Sequence, residues 1–125
     1  MAAEYARSAV DVAKRKFGAV LDGSDASVAV VEQILGKVQA QSVITAQKPS
    51  QPMLWTYAKL FGSYVGEVLR ARHGGEWGLS VDGPDERYAL ERNGEILWPH
   101  TQVFDRLNGD QANDVWRYYR RTTRT

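Results

Sequence analysis

The sequence contains no cysteine and only two histidines, His73 and His100. The lack of cysteine excludes disulfides, thiolate metal ligands and a cysteine nucleophile. Hydrolytic triads and metal sites need several His, Asp, Glu or Cys side chains that converge. His73 falls in the last turn of a predicted helix, where a positive charge is favourable, and His100 falls at a strand-to-helix corner. We therefore predict no catalytic residue, no metal site and no cofactor.

Long apolar runs are also missing, since none approaches the roughly 18 residues that a membrane-spanning helix requires. The first residues, 1–5, lack the basic start and apolar stretch of a signal peptide. We therefore expect a cytoplasmic protein without membrane association. The chain has 125 residues, of which 43% are hydrophobic and 25% charged, as in an ordinary soluble domain. A single domain over 1–125 is predicted.

Apolar residues recur at three- and four-residue intervals in the N-terminal half, which predicts three amphipathic helices over 4–22, 25–41 and 52–73. Gly23 is expected to end the first helix, and Ser24 or Asp25 to cap the second. The intervening stretch 45–51 has the composition of a loop.

Two glycines of the third predicted helix, Gly62 and Gly66, are four residues apart and share a face. Each costs about 1 kcal/mol relative to alanine, which indicates that a neighbouring helix packs closely there. Glu67 follows them. On a solvated face Glu67 would form an ion pair with Arg70, whereas a buried Glu67 would need a hydrogen-bonding or charged partner.

After Gly75 the apolar period changes from 3.6 to 2, which predicts strands over 77–81, 87–92 and 95–98. Asn93-Gly94 is a strong hairpin signal. The two-residue turn makes facing pairs of Arg92 with Glu95, Leu90 with Leu97, and Ala89 with Trp98. The face that carries Ala89, Ile96 and Trp98 is either buried by the final helices or left as an exposed partner patch.

The C-terminal part predicts two short helices. Thr101 is expected to cap the first, which Asn108-Gly109 ends, and Asp110 is expected to cap the second. The predicted fold class is α+β: three N-terminal helices, a three-stranded antiparallel meander and two short C-terminal helices.

Charge is unevenly distributed, although 16 basic and 15 acidic residues leave a net +1. Residues 73–116 contain nine acids and three arginines, whereas residues 117–125 contain four arginines and no acid. The acidic candidates for partner binding, with Trp98 or Trp77 as an aromatic anchor, are Glu76, Asp82, Asp85, Glu86, Glu91 and Glu95. The basic candidates for nucleic-acid contacts are Arg117, Arg120, Arg121 and Arg124.

Three sequence motifs resemble a family of small uncharacterised bacterial α+β domains. They are the run from Gly62 to Leu69 that contains Tyr-x-Gly-Glu, the Gly-Gly-x-Trp that ends at Trp77, and the spaced residues Pro99, Val103, Arg106-Leu107 and Gly109. The resemblance covers roughly residues 55–115. It implies structural roles for Tyr64, Gly66, Glu67, Gly75, Trp77 and Pro99. Members often have extra lysines where this chain has Phe104-Asp105, and the first two helices lie outside the resemblance.

The family includes proteins regarded as immunity proteins against secreted bacterial toxins. The resemblance therefore implies a non-enzymatic protein that occludes a cognate toxin, and the acidic meander would suit a basic toxin such as a nuclease. The alternative is a nucleic-acid-associated accessory protein that uses the basic C-terminal helix. An enzyme that acts through Glu67 and His73 is a third hypothesis.

Overall fold

Five helices and a three-stranded antiparallel sheet are present in the computed structural model, which describes residues 2–45, 51–81, 86–109 and 114–123. The elements in chain order are α1 (Ala2–Phe17), α2 (Asp25–Thr45), α3 (Gln51–His73), β1 (Glu76–Val81), β2 (Glu86–Arg92), β3 (Glu95–Leu97), α4 (Pro99–Leu107) and α5 (Val115–Thr123). This order confirms the predicted α+β fold.

Helix α3 is the centre of the packing. It contacts α1 along one side and α4 along another, while α5 packs mainly on α2. Phe61, Val65 and Leu69 of α3 are fully buried between these elements. On α1 the buried positions are alanines, including Ala9 and Ala13, so the two helices can approach each other closely.

Helix α1 ends five residues before the predicted boundary of 4–22. Its last residue is Phe17, because Gly18 adopts a positive φ of 62° and donates its amide to the Lys14 carbonyl at 3.2 Å. Val20, which the periodicity placed on the buried stripe, is 74% exposed. The apolar spacing thus continued past a glycine that stops the helix.

The predicted cap of α2 is confirmed. The Ser24 hydroxyl accepts a hydrogen bond from the Ser27 amide at 3.2 Å, in the manner of an N-cap residue. The helix continues to Thr45, beyond the predicted end at residue 41. Most of the predicted loop, 46–50, lies outside the described residues.

The hairpin has the predicted turn and most of the predicted register. Asn93 and Gly94 have positive φ angles of 52° and 80°, as a type I′ turn requires. The facing pairs are Arg92 with Glu95, Glu91 with Ile96, and Leu90 with Leu97. The prediction that Ala89 pairs with Trp98 is wrong, because β3 ends at Leu97 and Trp98 is the N-cap residue of α4.

One face of the hairpin packs on the helices and the other has an exposed apolar position. Leu90 and Leu97 are buried on the helical side. On the other face Ala89 is buried and Trp98 is half-buried, whereas Ile96 is 57% exposed. Of the predicted partner patch, only Ile96 is therefore well exposed.

Both C-terminal helices start at residues other than those predicted. Pro99 occupies the first turn of α4, two residues before the expected cap at Thr101, since its fixed φ suits that position. Helix α5 is capped by Asp114, whose carboxylate accepts the Arg117 amide at 2.9 Å. The expected cap Asp110 lies outside the described residues.

Arg92 connects the hairpin to the ends of two helices. Its Nε donates to the carbonyl of His73 at the end of α3, at 3.1 Å. Its Nη1 donates to the carbonyl of Thr122 at the end of α5, at 2.9 Å. A cation is favourable at both places because each helix C-terminus carries partial negative charge.

Candidate functional site

The acidic candidates that the structure describes do not form one cluster. Asp82 and Asp85 lie outside the described residues, as does the side chain of Glu86. Glu76 and Glu91 are directly opposite on β1 and β2, and both are exposed. Glu95 is exposed too, but it faces Arg92 beside the turn, on the opposite side of the hairpin.

An exposed row of three side chains therefore crosses the sheet, from Glu76 through Glu91 to Ile96. We call these three residues the acidic row. Like charges directly opposite each other destabilise a sheet. Within the described part of the chain no ion pair relieves Glu76 or Glu91. The row is thus a concentrated negative charge beside an exposed apolar side chain.

Neither candidate tryptophan is a freely exposed anchor. Trp98 is half-buried at the start of α4. The six-membered ring of Trp77 lies against Gly66 so closely that a Cβ there would be 2.2 Å from the ring. At Gly62 a Cβ would be 2.6 Å from the Cα of His100. The predicted neighbouring helix is therefore confirmed at Gly62, where α4 packs, and wrong at Gly66, where the indole ring of Trp77 from β1 fills the space.

His100 and Ser63 make a contact that resembles a nucleophile with its base. The Ser63 hydroxyl and His100 Nε2 are 2.8 Å apart. Ser63 is completely buried within α3, so a substrate cannot reach its oxygen. The pair satisfies a buried hydroxyl between α3 and α4 and does not have the access that nucleophilic catalysis needs.

The third hypothesis is an enzyme that acts through Glu67 and His73. In the structure these two side chains have separate partners. Nε2 of His73 donates to Oδ1 of Asp25 at 2.8 Å. Glu67 is 17% exposed and accepts from Nε of Arg70 at 2.9 Å. The expected Glu67–Arg70 pair is confirmed, and the structure does not bring Glu67 and His73 into one site.

Asp25 was predicted only as a possible helix cap, whereas the structure shows that its carboxylate joins three helices. Oδ1 of this carboxylate also accepts a hydrogen bond from the Tyr119 hydroxyl of α5. The bonds from Tyr119 and His73 hold the pKa of Asp25 below its ordinary value. Burial, together with the neighbouring carboxylate, raises the pKa of Tyr119. The group connects the start of α2, the end of α3 and the middle of α5.

The sequence reasoning missed a buried ion pair. Arg106 is 7% exposed, and its Nε lies 3.0 and 2.9 Å from the two carboxylate oxygens of Glu32. Its Nη1 donates to Oε1 of Gln39 at 2.5 Å. Glu32 also accepts the amide of Val115, the first residue of α5, at 3.0 Å. The Glu32 carboxylate therefore neutralises Arg106 of α4 and caps the N-terminus of α5.

A sequence signal for this ion pair exists. Glu32, Gly36 and Gln39 lie at i, i+4 and i+7, so they form a polar stripe with a glycine along one face of α2. Gly36 lies next to the guanidinium, since a Cβ there would be 3.6 Å from Nη2 of Arg106. A polar stripe through an otherwise apolar helix indicates a buried polar partner.

The basic candidates lie on α5. Arg117, Arg120 and Arg121 are exposed, and Arg124 lies outside the described residues. The guanidinium of Arg120 lies over the ring of Trp116, at 5.8 Å from its centre. Within the described residues none of the three forms an ion pair.

Comparison of the chain with protein-family models, with curated proteins and with solved structures finds no match. The family resemblance of the sequence motifs therefore stays a prediction. Among the described residues, no group of three His, Cys, Asp or Glu side chains is placed to hold a metal ion. No helix in the described ranges has both the length and the apolar character to cross a membrane.

Proposed function

We propose that this chain is a non-enzymatic binding protein that docks a basic protein through the acidic row. In its most concrete form it is an immunity protein that occludes a cognate toxin such as a nuclease. The observation that carries the proposal is the exposed pair Glu76 and Glu91 beside Ile96. A basic partner would neutralise the two carboxylates and cover the apolar side chain.

Three further observations support this proposal. Like charges directly opposite each other work against strand pairing, and among the described residues neither Glu76 nor Glu91 has an ion pair that would give its charge a stabilising role. Arg92, the nearby cation of β2, has its guanidinium engaged with the carbonyls of His73 and Thr122. The Ile96 side chain is 57% exposed at the end of the row, where a partner could bury it.

The test is the affinity and association rate of the full chain for the product of an adjacent toxin-like gene, measured by surface plasmon resonance. Replacing Glu76→Lys and Glu91→Lys together reverses the row, and we expect affinity to fall by at least about a hundredfold with a slower association rate. Asp11→Lys on α1 with Gln33→Lys and Ala40→Lys on α2 makes the same change in net charge at exposed positions outside the row and the groove, and it should have little effect. Equal affinities for the double variant and this control would overturn the proposal, as would the absence of binding by the wild-type chain.

A second candidate function is contact with nucleic acid through α5. It is favoured by the exposed arginines Arg117, Arg120 and Arg121, which lie within about 6 Å along the helix axis at 1.5 Å per residue. This length spans only a few phosphates, so binding would be weak and independent of sequence.

Fluorescence anisotropy with labelled single-stranded and double-stranded oligonucleotides tests this second candidate. Replacing the three arginines by glutamine should reduce the slope of log affinity against log salt by about 2 to 3. The matched control replaces Arg7, Lys14 and Lys16 of α1, which are also exposed. Equal slopes for the two triple variants would remove α5 from consideration.

A further inference from the structure

A groove adjoins the acidic row, at the place where α3 leads into β1. Its lining includes Ala2 of α1, Glu67 and Arg70 of α3, and Glu76 and Trp77 of β1. Glu76 belongs to both features, so the groove is continuous with the sheet face proposed to dock a partner. Resting on that proposed function, we propose that the groove receives an arginine side chain of the basic partner.

The charges around the groove favour a cation. Glu67 and Glu76 contribute two carboxylates, and Arg70 contributes one guanidinium. Arg70 donates through Nε to only one oxygen of Glu67, Oε2, at 2.9 Å, which leaves Oε1 of that carboxylate with open acceptor capacity. Glu76 is exposed and has no ion-pair partner within the described part of the chain. The charged side chains that line the groove therefore sum to one negative charge.

The aromatic wall distinguishes arginine from lysine. Trp77 is held in place because its ring edge fills the space that Gly66 leaves open, and the ring of His100 lies 5.5 Å away on the neighbouring helix. A fixed indole is a stacking partner for a planar guanidinium. The same guanidinium presents several N–H donors in one plane, which can reach Oε1 of Glu67 beside the Trp77 ring, whereas Glu76 extends from the opposite face of β1 and contributes its charge at the rim of the groove. A lysine ammonium can neutralise charge but lacks the planar surface.

The Glu67 carboxylate is suited to anchor the arginine, because it is largely buried. Glu67 has only 17% of its side chain exposed, against 50% for Arg70 at the rim. Charge pairs with restricted solvent access contribute more to binding than pairs at an exposed rim. The inserted arginine would thus be a hot spot, while the acidic row provides attraction over a longer range.

The probe is N-acetyl-L-arginine amide, titrated at low salt into the untagged, ¹⁵N-labelled full chain. We expect a saturable shift of the Trp77 indole N–H and of the Ala2 and Ala3 amides, with a dissociation constant of about 1 mM for so small a ligand. N-acetyl-L-citrulline amide has almost the same shape without the charge and should bind at least about tenfold more weakly. The lysine analogue should bind more weakly than the arginine analogue.

Two single variants locate the site. Glu76→Gln should weaken the arginine probe several-fold, because Glu76 lines the groove. Glu91→Gln, its neighbour across the strands, should leave the probe affinity nearly unchanged. Equal binding of arginine and citrulline, equal binding of arginine and lysine, or equal effects of the two variants would overturn the inference.

The same variants separate this inference from the proposed function. A partner that depends on the acidic row but binds Glu67→Gln as tightly as wild type would contradict the groove and leave the proposed function standing. A groove that binds the arginine probe in a chain that binds no basic protein would contradict the proposed function alone.

Discussion

Acidic side chains stabilise the fold in one region of the molecule and oppose it in another. Between α2, α4 and α5, Glu32 accepts three hydrogen bonds from Arg106 and Val115, and almost all of the pair is removed from solvent. On the outer face of the sheet, Glu76 and Glu91 oppose each other without an ion-pair partner among the described residues. The Glu32 carboxylate holds α2, α4 and α5 together, whereas repulsion between Glu76 and Glu91 opposes the pairing of β1 with β2.

The difference separates structural charge from charge available for a partner. Removing one partner of a buried ion pair strongly destabilises a protein, because the other charge is left uncompensated in the interior. An exposed like-charge pair can be removed at no cost to folding. Stability measurements can therefore classify each acid independently of any partner.

The first prediction is that Glu32→Ala lowers the free energy of unfolding by about 3 to 5 kcal/mol, because Arg106 is left buried and unpaired. Urea denaturation followed by circular dichroism measures the change. The double variant Glu32→Met with Arg106→Leu should recover much of the loss, since both charges are then absent. A loss below about 1 kcal/mol for Glu32→Ala would show that this pair is no more structural than a surface pair.

The second prediction concerns the glycines. Gly66→Ala places a Cβ 2.2 Å from the Trp77 ring, so we expect a net loss of about 1 to 2 kcal/mol despite the higher helix propensity of alanine. Gly36→Ala is the matched control, because its Cβ would make an ordinary contact at 3.6 Å. That variant should be neutral or gain up to about 1 kcal/mol in thermal unfolding. The same sign for both variants would contradict the close packing at Gly66.

The third prediction is a pH dependence at Asp25. Its pKa is lower in the folded chain than in the unfolded chain, where it is about 3.9. The ionised carboxylate therefore stabilises the fold above the unfolded pKa, and this contribution is lost as the pH falls through the folded pKa. The stability difference between wild type and Asp25→Asn should therefore shrink as the pH is lowered below about 4.

Tyr119→Phe tests the cause of that dependence. It removes the hydroxyl that donates to Asp25 and should lower stability by about 1 kcal/mol at neutral pH, because the carboxylate is partly exposed. The effect of Asp25→Asn on the free energy of unfolding should vary less with pH in the acid range when Tyr119→Phe is also present than it does in wild type. An unchanged acid dependence would mean that the Tyr119 bond does not set the pKa of Asp25.

The fourth prediction is the smallest. Glu91→Gln removes the repulsion with Glu76 and should raise stability by a few tenths of a kcal/mol, with a larger gain at low ionic strength. Thermal unfolding at two salt concentrations measures it. A clear loss of stability would show that Glu91, like Glu32, stabilises the fold. It would contradict the difference between the buried and the exposed acids.

Local patterns predicted the order and type of the elements well. The period of the apolar residues distinguished helices from strands, and Asn93-Gly94 fixed the register at Arg92 and Glu95. Boundaries were less predictable where two signals compete. The apolar spacing runs past Gly18, which ends α1, and Pro99 starts α4 earlier than the hydroxyl of Thr101 suggested.

The site could not be predicted in the same way, because its geometry depends on residues far apart in sequence. Asp25 meets Tyr119 across 94 positions, and Glu32 meets Arg106 across 74. Whether two acids in adjacent strands share a face depends on register, which separated Glu95 from the acidic row. The groove at Trp77 arises only when α1, α3 and β1 are assembled.

The bonds that Arg92 makes with the ends of α3 and α5 fix the hairpin relative to the arginines of α5. Acidic residues of the sheet and arginines of α5 are thereby kept at fixed positions relative to each other, so the net charge of +1 is the sum of local charges of opposite sign. Salt screens each of these local charges separately. Association with the proposed basic partner is therefore expected to depend on ionic strength, although the molecule is almost neutral.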